Sequence, residues 1–105
     1  MAVNLTKNEK SRELSKSDFI AAIAKIHDAE STRGRKYTNI QIKNGLIIGT
    51  RESTKGVFNI SIERLYQAYT DLLRFNTTTL KPYVNGVQSP ALAILMAANL
   101  ITICS

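Results

Sequence analysis

Basic and amide side chains are concentrated in one stretch of the sequence, residues 31–56. This stretch carries six basic residues against the single carboxylate of Glu52, so it holds +5 of the net charge of +6. Arginine and lysine hold phosphate groups, and amides can donate and accept together, as base edges in the major groove require. These residue types predict nucleic-acid binding. The candidate binding residues are Arg33, Arg35, Lys36, Asn39, Gln41, Lys43, Arg51 and Lys55.

A predicted β-hairpin would position these side chains. Asn44–Gly45 separates two runs rich in β-branched residues and is typical of a two-residue type I′ turn. With this turn, Lys43 opposes Leu46, and regular pairing extends to Ile40 opposite Gly49. The apolar face of the hairpin then contains Ile40, Ile42 and Ile47. The polar face contains Tyr37, Asn39, Gln41, Lys43, Leu46, Ile48 and Thr50.

The remaining elements predict an α+β fold. Residues 57–62 alternate, which predicts a third strand with Phe58, Ile60 and Ile62 facing inward. Apolar spacing predicts helices from Ser17 to about Glu30, from Ser61 to about Arg74, within residues 77–86, and from Ser89 to about Ile101. We expect residues 1–16 to form a disordered polar tail and residues 17–105 a single domain. Its predicted order is α-β-β-β-α-α-α, with a three-stranded antiparallel sheet packed on the helices.

The sequence lacks the residue constellations of common catalytic and metal sites. His27 is the only histidine, and its place beside the apolar stripe of the first helix predicts a packed core-edge residue. Cys104 is the only cysteine, which excludes an internal disulfide and is typical of a reducing cytoplasm. Gly45 and Gly49 lack the strand–glycine–helix context of a phosphate loop. We therefore expect a cytoplasmic, non-enzymatic protein without metal or other cofactors.

Two alternatives to nucleic-acid binding stay open. Asparagine, glutamine, threonine and lysine are ordinary residues on the wet face of an antiparallel sheet, so solvation alone can explain them. A homo-oligomer or protein-interaction module is the alternative function, because residues 90–103 are uncharged and Leu46 and Ile48 are apolar on the polar face. The apolar run over residues 91–104 is 14 residues long, shorter than the roughly 20 of a membrane span, so we expect no membrane anchor.

The predicted order α-β-β-β-α over about residues 17–75 resembles the double-stranded-RNA-binding domain. That family has a lysine cluster at the start of its second helix, where this chain reads IERLYQA with Arg64 as the only base. The outline is also similar to proteins that lay three β-strands in the major groove of DNA. Neither resemblance assigns a role to a residue, because fold does not fix function. Duplex DNA is the favoured ligand of the predicted polar face.

Overall fold

The strands of the described residues form two antiparallel sheets. The computed structural model describes residues 5–7 and 14–103. The larger sheet has the order β2-β3-β4-β5, with β2 at Ala29–Glu30, β3 at Lys36–Lys43, β4 at Leu46–Arg51 and β5 at Val57–Ser61. The smaller sheet pairs β1 (Leu5–Lys7) with β6 (Ile101–Ile103).

Four helices complete the described part of the chain. They are α1 (Lys16–Ala24), α2 (Ile62–Asp71), α3 (Thr77–Leu80) and α4 (Gln88–Ala97). The Ser15 side chain accepts a hydrogen bond from the Asp18 backbone N–H and so caps α1. The Ser61 side chain caps α2 in the same way and accepts from the Arg64 N–H at 3.3 Å, which confirms the predicted start of this helix.

The hydrophobic core lies between the helices and one face of the larger sheet, which we call the inner face. Ile47, Phe58 and Ile60 line this face and are each no more than 2% exposed. The core also contains Leu65 of α2 and Ile94 of α4. All residues of α4 from 90 to 95 are buried within the chain itself, as its apolar composition predicts.

The α+β class and the antiparallel hairpin are confirmed, but the predicted three-stranded sheet and element order are wrong. The larger sheet has a fourth strand, the two-residue β2, which follows α1. The helix α1 ends at Ala24 rather than near the predicted Glu30. The predicted disordered tail is also wrong at Leu5–Lys7, where Leu5 is buried and pairs with Phe75. Residues 1–4 and 8–13 and Cys104 lie outside the described residues.

A β-bulge in β3 changes the face on which several side chains lie. Near the turn the register is the predicted one, with Lys43 opposite Leu46, but it shifts between Thr38 and Gln41. Asn39 has a φ of 53°, in the left-handed region. One extra residue in β3 reverses the in–out alternation beyond it. Tyr37 therefore lies on the inner face at 3% exposure, which corrects its predicted place on the polar face.

Substitution of Gly49 tests the packing that accompanies this bulge. A Cβ at Gly49 would lie 2.6 Å from Cζ of Phe58 and 3.2 Å from Cγ1 of Ile40. The Phe58 ring cannot move freely, because it packs edge-on against Tyr37 with a centroid distance of 5.7 Å. We expect Gly49→Ala to lower the free energy of unfolding by about 1–3 kcal/mol in urea denaturation. Thr50→Ala, on the opposite face, is the control, and an equal effect of the two would contradict this packing.

Candidate nucleic-acid interface

The face of the larger sheet opposite the core, which we call the outer face, presents three cross-strand rows of side chains. From the β2 end to the hairpin end, the rows are Thr38, Thr50 and Val57; Gln41, Ile48 and Asn59; and Lys43, Leu46 and Ser61. None of these nine residues is aromatic or acidic. The rows therefore combine hydrogen-bonding side chains and one cation, Lys43, with apolar side chains, of which Ile48 lies at the centre.

The middle row is the most distinctive part of the outer face. Gln41 on β3 and Asn59 on β5 are both exposed and flank the half-buried Ile48 on β4. Each amide offers two N–H donors and a carbonyl acceptor. Val57, in the first row, is 67% exposed and adds an apolar group at the edge. The arrangement can therefore hydrogen-bond a flat polar surface while contacting an apolar group between the two amides.

Lys36 marks the end of the outer face that is remote from the hairpin. It opposes Glu30 on β2, and its carbonyl accepts a hydrogen bond of 3.1 Å from the Glu52 N–H. The outer face is therefore free of carboxylates within its three rows but has Glu30 across from Lys36 at this end. Lys55, in the exposed turn that follows β4, lies at the same end of the sheet.

Asn39 occupies the bulge rather than a regular strand position. A backbone hydrogen bond to a segment outside the strands stabilises the bulge: the Ile40 N–H donates to the His27 carbonyl at 2.9 Å. His27 is exposed in the segment between α1 and β2, so its predicted packing at the core edge is wrong. The helix ends before it reaches this residue. An open depression of about 640 Å³ beside the bulge contacts His27, Asp28, Asn39 and Gln41.

Four predicted binding residues meet in a second place, at the end of the sheet. A cavity of about 340 Å³ and an adjoining one of about 270 Å³ both contact Arg35, Thr77 and Ser89. Together they form what we call the arginine cleft. Its wall contains Arg33, Arg35, Lys36, Arg51, Thr77 and Ser89. The structure therefore divides the predicted residues: Gln41 and Lys43 lie on the outer face, and the three arginines lie in this cleft.

Alternation along β4 places Arg51 on the inner side of the sheet, two residues after the buried Gly49. Arg51 pairs with Tyr37 on the inner side of the sheet, and its guanidinium lies 5.7 Å from the centroid of the Phe58 ring. Its Nη2 donates to the carbonyl of Gly86 at 3.3 Å. These contacts hold a half-buried cation in a fixed position, whereas Arg33 and Arg35 are exposed in the loop between β2 and β3.

Sequence reasoning missed the hydroxyl and amide side chains of the cleft. Thr77 begins α3, and Gln88 and Ser89 begin α4, so each lies far along the chain from the basic stretch. The available signal was that Ser89 and Thr77 open predicted helices. No pattern in the sequence indicates that these two helix starts meet the loop before β3.

Arg64 has a structural role. It donates to the carbonyls of Pro82 at 2.9 Å and Tyr83 at 3.3 Å, which ties α2 to the segment after α3. The hydroxyl of Tyr83 donates to the Asp71 carboxylate at 3.3 Å. Desolvation, together with the Asp71 charge, raises the pKa of Tyr83 above its usual value. Arg64 is the only base at the position where the double-stranded-RNA-binding domain has its lysines, and here its guanidinium is engaged within the fold.

Comparison with other proteins leaves the site to be interpreted from its own geometry. Family models, curated proteins and solved structures were compared with the chain, and none matches it. Within residues 5–7 and 14–103, no three histidine, cysteine or acidic side chains are grouped so that they could hold a metal ion. No helix in the same ranges is long and apolar enough to cross a membrane.

The backbone conformation of Asn39 allows its structural role to be tested separately from any role in binding. A left-handed residue with a β-branched side chain is strained, whereas glycine is not. We expect Asn39→Val to lower the free energy of unfolding by about 1–2 kcal/mol or more, and Asn39→Gly to change it by less than about 1 kcal/mol. Urea denaturation measures both. Asn59→Val makes the same exchange at an extended strand position and should cost little. Equal stability of Asn39→Val and wild type would contradict the bulge.

Proposed function

We propose that the protein is a non-enzymatic nucleic-acid-binding module that contacts duplex DNA through the outer face of its larger sheet. The observation that carries this proposal is the middle row, in which Gln41 and Asn59 lie in one line with no carboxylate beside them in the rows. Lys43 at one end of the face, with Lys36 and Lys55 at the other, would contact phosphates.

The dimensions of the outer face support this function. Strands β3, β4 and β5 span two interstrand spacings, about 10 Å, which is comparable with the major groove width of about 12 Å. Lys36 and Lys43 are seven residues apart on β3, and because one of these residues belongs to the bulge, they are six regular steps, about 20 Å, apart along the strand. Cations at both ends can therefore contact phosphates while the amides between them reach base edges.

The absence of aromatic side chains from the three rows favours a duplex over a single strand. Single-stranded nucleic acids are commonly bound by stacking bases on aromatic rings of a sheet surface. In this sheet both rings, Tyr37 and Phe58, are buried on the inner face. The amides and Ile48 suit the hydrogen-bonding edges and the thymine methyl groups that the major groove exposes.

The alternative function, self-assembly through residues 90–103, receives less support from the fold. Ala91, Ile94 and Leu95 are no more than about 1% exposed within one chain, so α4 lacks a free apolar face between residues 90 and 95. Leu73 at 83% and Val57 at 67% exposure are the large apolar side chains most open to solvent among the described residues. Single exposed apolar residues are normal and do not by themselves indicate an interface.

Substitutions on the outer face test the proposed DNA binding. We expect Lys43→Gln to weaken binding of a duplex DNA and to reduce the slope of log affinity against log salt by about 1, because one phosphate contact is lost. Gln41→Ala should weaken binding by about 1–3 kcal/mol at its preferred sequence and reduce discrimination between sequences. Fluorescence anisotropy across a salt series measures both effects.

The matched control is Lys81→Gln, which removes the same charge from the exposed end of α3, away from the outer face. Its affinity should fall only by the small amount that follows from lower net charge. The proposal would be contradicted if Lys43→Gln and Lys81→Gln behave alike. A single strand that binds more tightly than the duplex would contradict the preference for duplex DNA.

A further inference from the structure

The arginine cleft gathers positive charge in a concave site beyond the three rows of the outer face. Arg33, Arg35 and Arg51 contribute three cations to its two adjoining cavities, and Lys36, at the end of the outer face, borders the larger one. Among the described residues, neither cavity has an aspartate or glutamate in its wall. Like charges held close together repel one another, so this arrangement favours an anion that neutralises several of them.

Arg51 provides a positioned donor within the cleft. The hydrogen bond from its Nη2 to the Gly86 carbonyl and its contact with the Phe58 ring fix the plane of the guanidinium. A guanidinium has five N–H donors, and the Gly86 bond uses one of them. A fixed guanidinium loses little conformational entropy when an oxyanion binds, and its fork matches the geometry of phosphate oxygens.

The other side chains of the cleft suit an oxyanion with several oxygens. Ser53 and Thr77 add hydroxyls to the wall of the larger cavity, and Ser89 adds a third that borders both cavities. Gln88 begins the ten-residue α4 at this wall, which adds partial positive charge to a site already defined by its arginines. A carboxylate, with one charge and two oxygens, would leave most of these donors unused.

We propose that the arginine cleft binds a phosphate monoester through its terminal, doubly charged phosphate. Arg35, which contacts both cavities, and Arg51 bind the phosphate oxygens, and the hydroxyls of Thr77 and Ser89 donate to them. The combined space of the two cavities exceeds that of a phosphate ion, so it also receives part of the group that carries the phosphate. This site is separate from Lys43 and Gln41 of the outer face, because its arginines lie at the end of the sheet remote from the hairpin.

Thermal unfolding with added inorganic phosphate tests the site, with sodium chloride holding ionic strength constant. A ligand that binds only the folded state raises the melting temperature with the logarithm of its concentration above Kd. Phosphate also stabilises proteins generally by exclusion from their surface, so the difference between variants is the decisive quantity. We expect Arg35→Gln to raise the phosphate Kd about tenfold or more, as loss of a charge-assisted hydrogen bond predicts. Lys43→Gln, on the outer face, should leave the Kd unchanged.

Two ligand arms identify the source of the phosphate. One arm is a mononucleotide 5′-phosphate. The other is a single-stranded oligonucleotide, prepared once with a 5′-phosphate and once with a 5′-hydroxyl. All three ligands are measured with the Lys43→Gln protein, so that the outer face contributes less to binding. Tighter binding of the 5′-phosphorylated strand than of the mononucleotide assigns the cleft to nucleic-acid ends. Equal binding assigns it to small phosphate esters, and either result supports the site.

The proposal is overturned if phosphate stabilises wild type, Arg35→Gln and a second cleft variant, Arg33→Gln, to the same extent. Both arginines are exposed, so neither substitution should prevent folding. Loss of duplex binding in Lys43→Gln with phosphate binding retained would separate this site from the proposed DNA-binding face. Weaker duplex binding by Lys43→Gln, with phosphate stabilising the wild type and both cleft variants equally, would overturn the phosphate site and leave the DNA proposal intact.

Discussion

The β-bulge at Asn39 is the constraint on which the arrangement of the rest of the molecule depends. One extra residue in β3 lets Gln41 and Lys43 face outward near the hairpin while Tyr37, six residues before Lys43, faces inward. A regular strand would place Tyr37 on the outer face and leave the core beside Phe58 unfilled. Asparagine tolerates the left-handed conformation better than most residues, and the hydrogen bond from Ile40 to His27 holds the bulge in place.

Strand alternation separates two basic surfaces that are continuous in the sequence. Because Arg51 pairs with Tyr37 on the inner side, it packs on Phe58 and faces the loop that contains Gly86. Lys43, only eight residues earlier, lies on the outer face at the hairpin end. The +5 of residues 31–56 is therefore divided between an exposed sheet surface and a concave cleft. The flat surface suits an extended polyanion, and the cleft suits a single compact phosphate.

Sequence patterns correctly predicted the features that depend on interactions between residues close together in the chain. The Asn44–Gly45 turn set the register near the hairpin, alternation identified the inward side chains of β5, and Ser61 marked the start of α2. The bulge was not predicted, because it depends on the φ angle of Asn39 and on a contact with the segment that contains His27. The pairing of Leu5 with Phe75 and the convergence of Thr77 and Ser89 on Arg35 join distant segments, and no periodicity in one segment contains that information.

An NMR titration of ¹⁵N-labelled protein with a short DNA duplex at low salt would test the central claim most directly. The account predicts that amide shifts concentrate in residues 41–48 and 57–61, with the largest changes around Gln41, Ile48 and Asn59, and that they weaken as salt is raised. Shifts confined to the arginine cleft, or shifts spread evenly over the surface, would contradict an outer face that binds DNA.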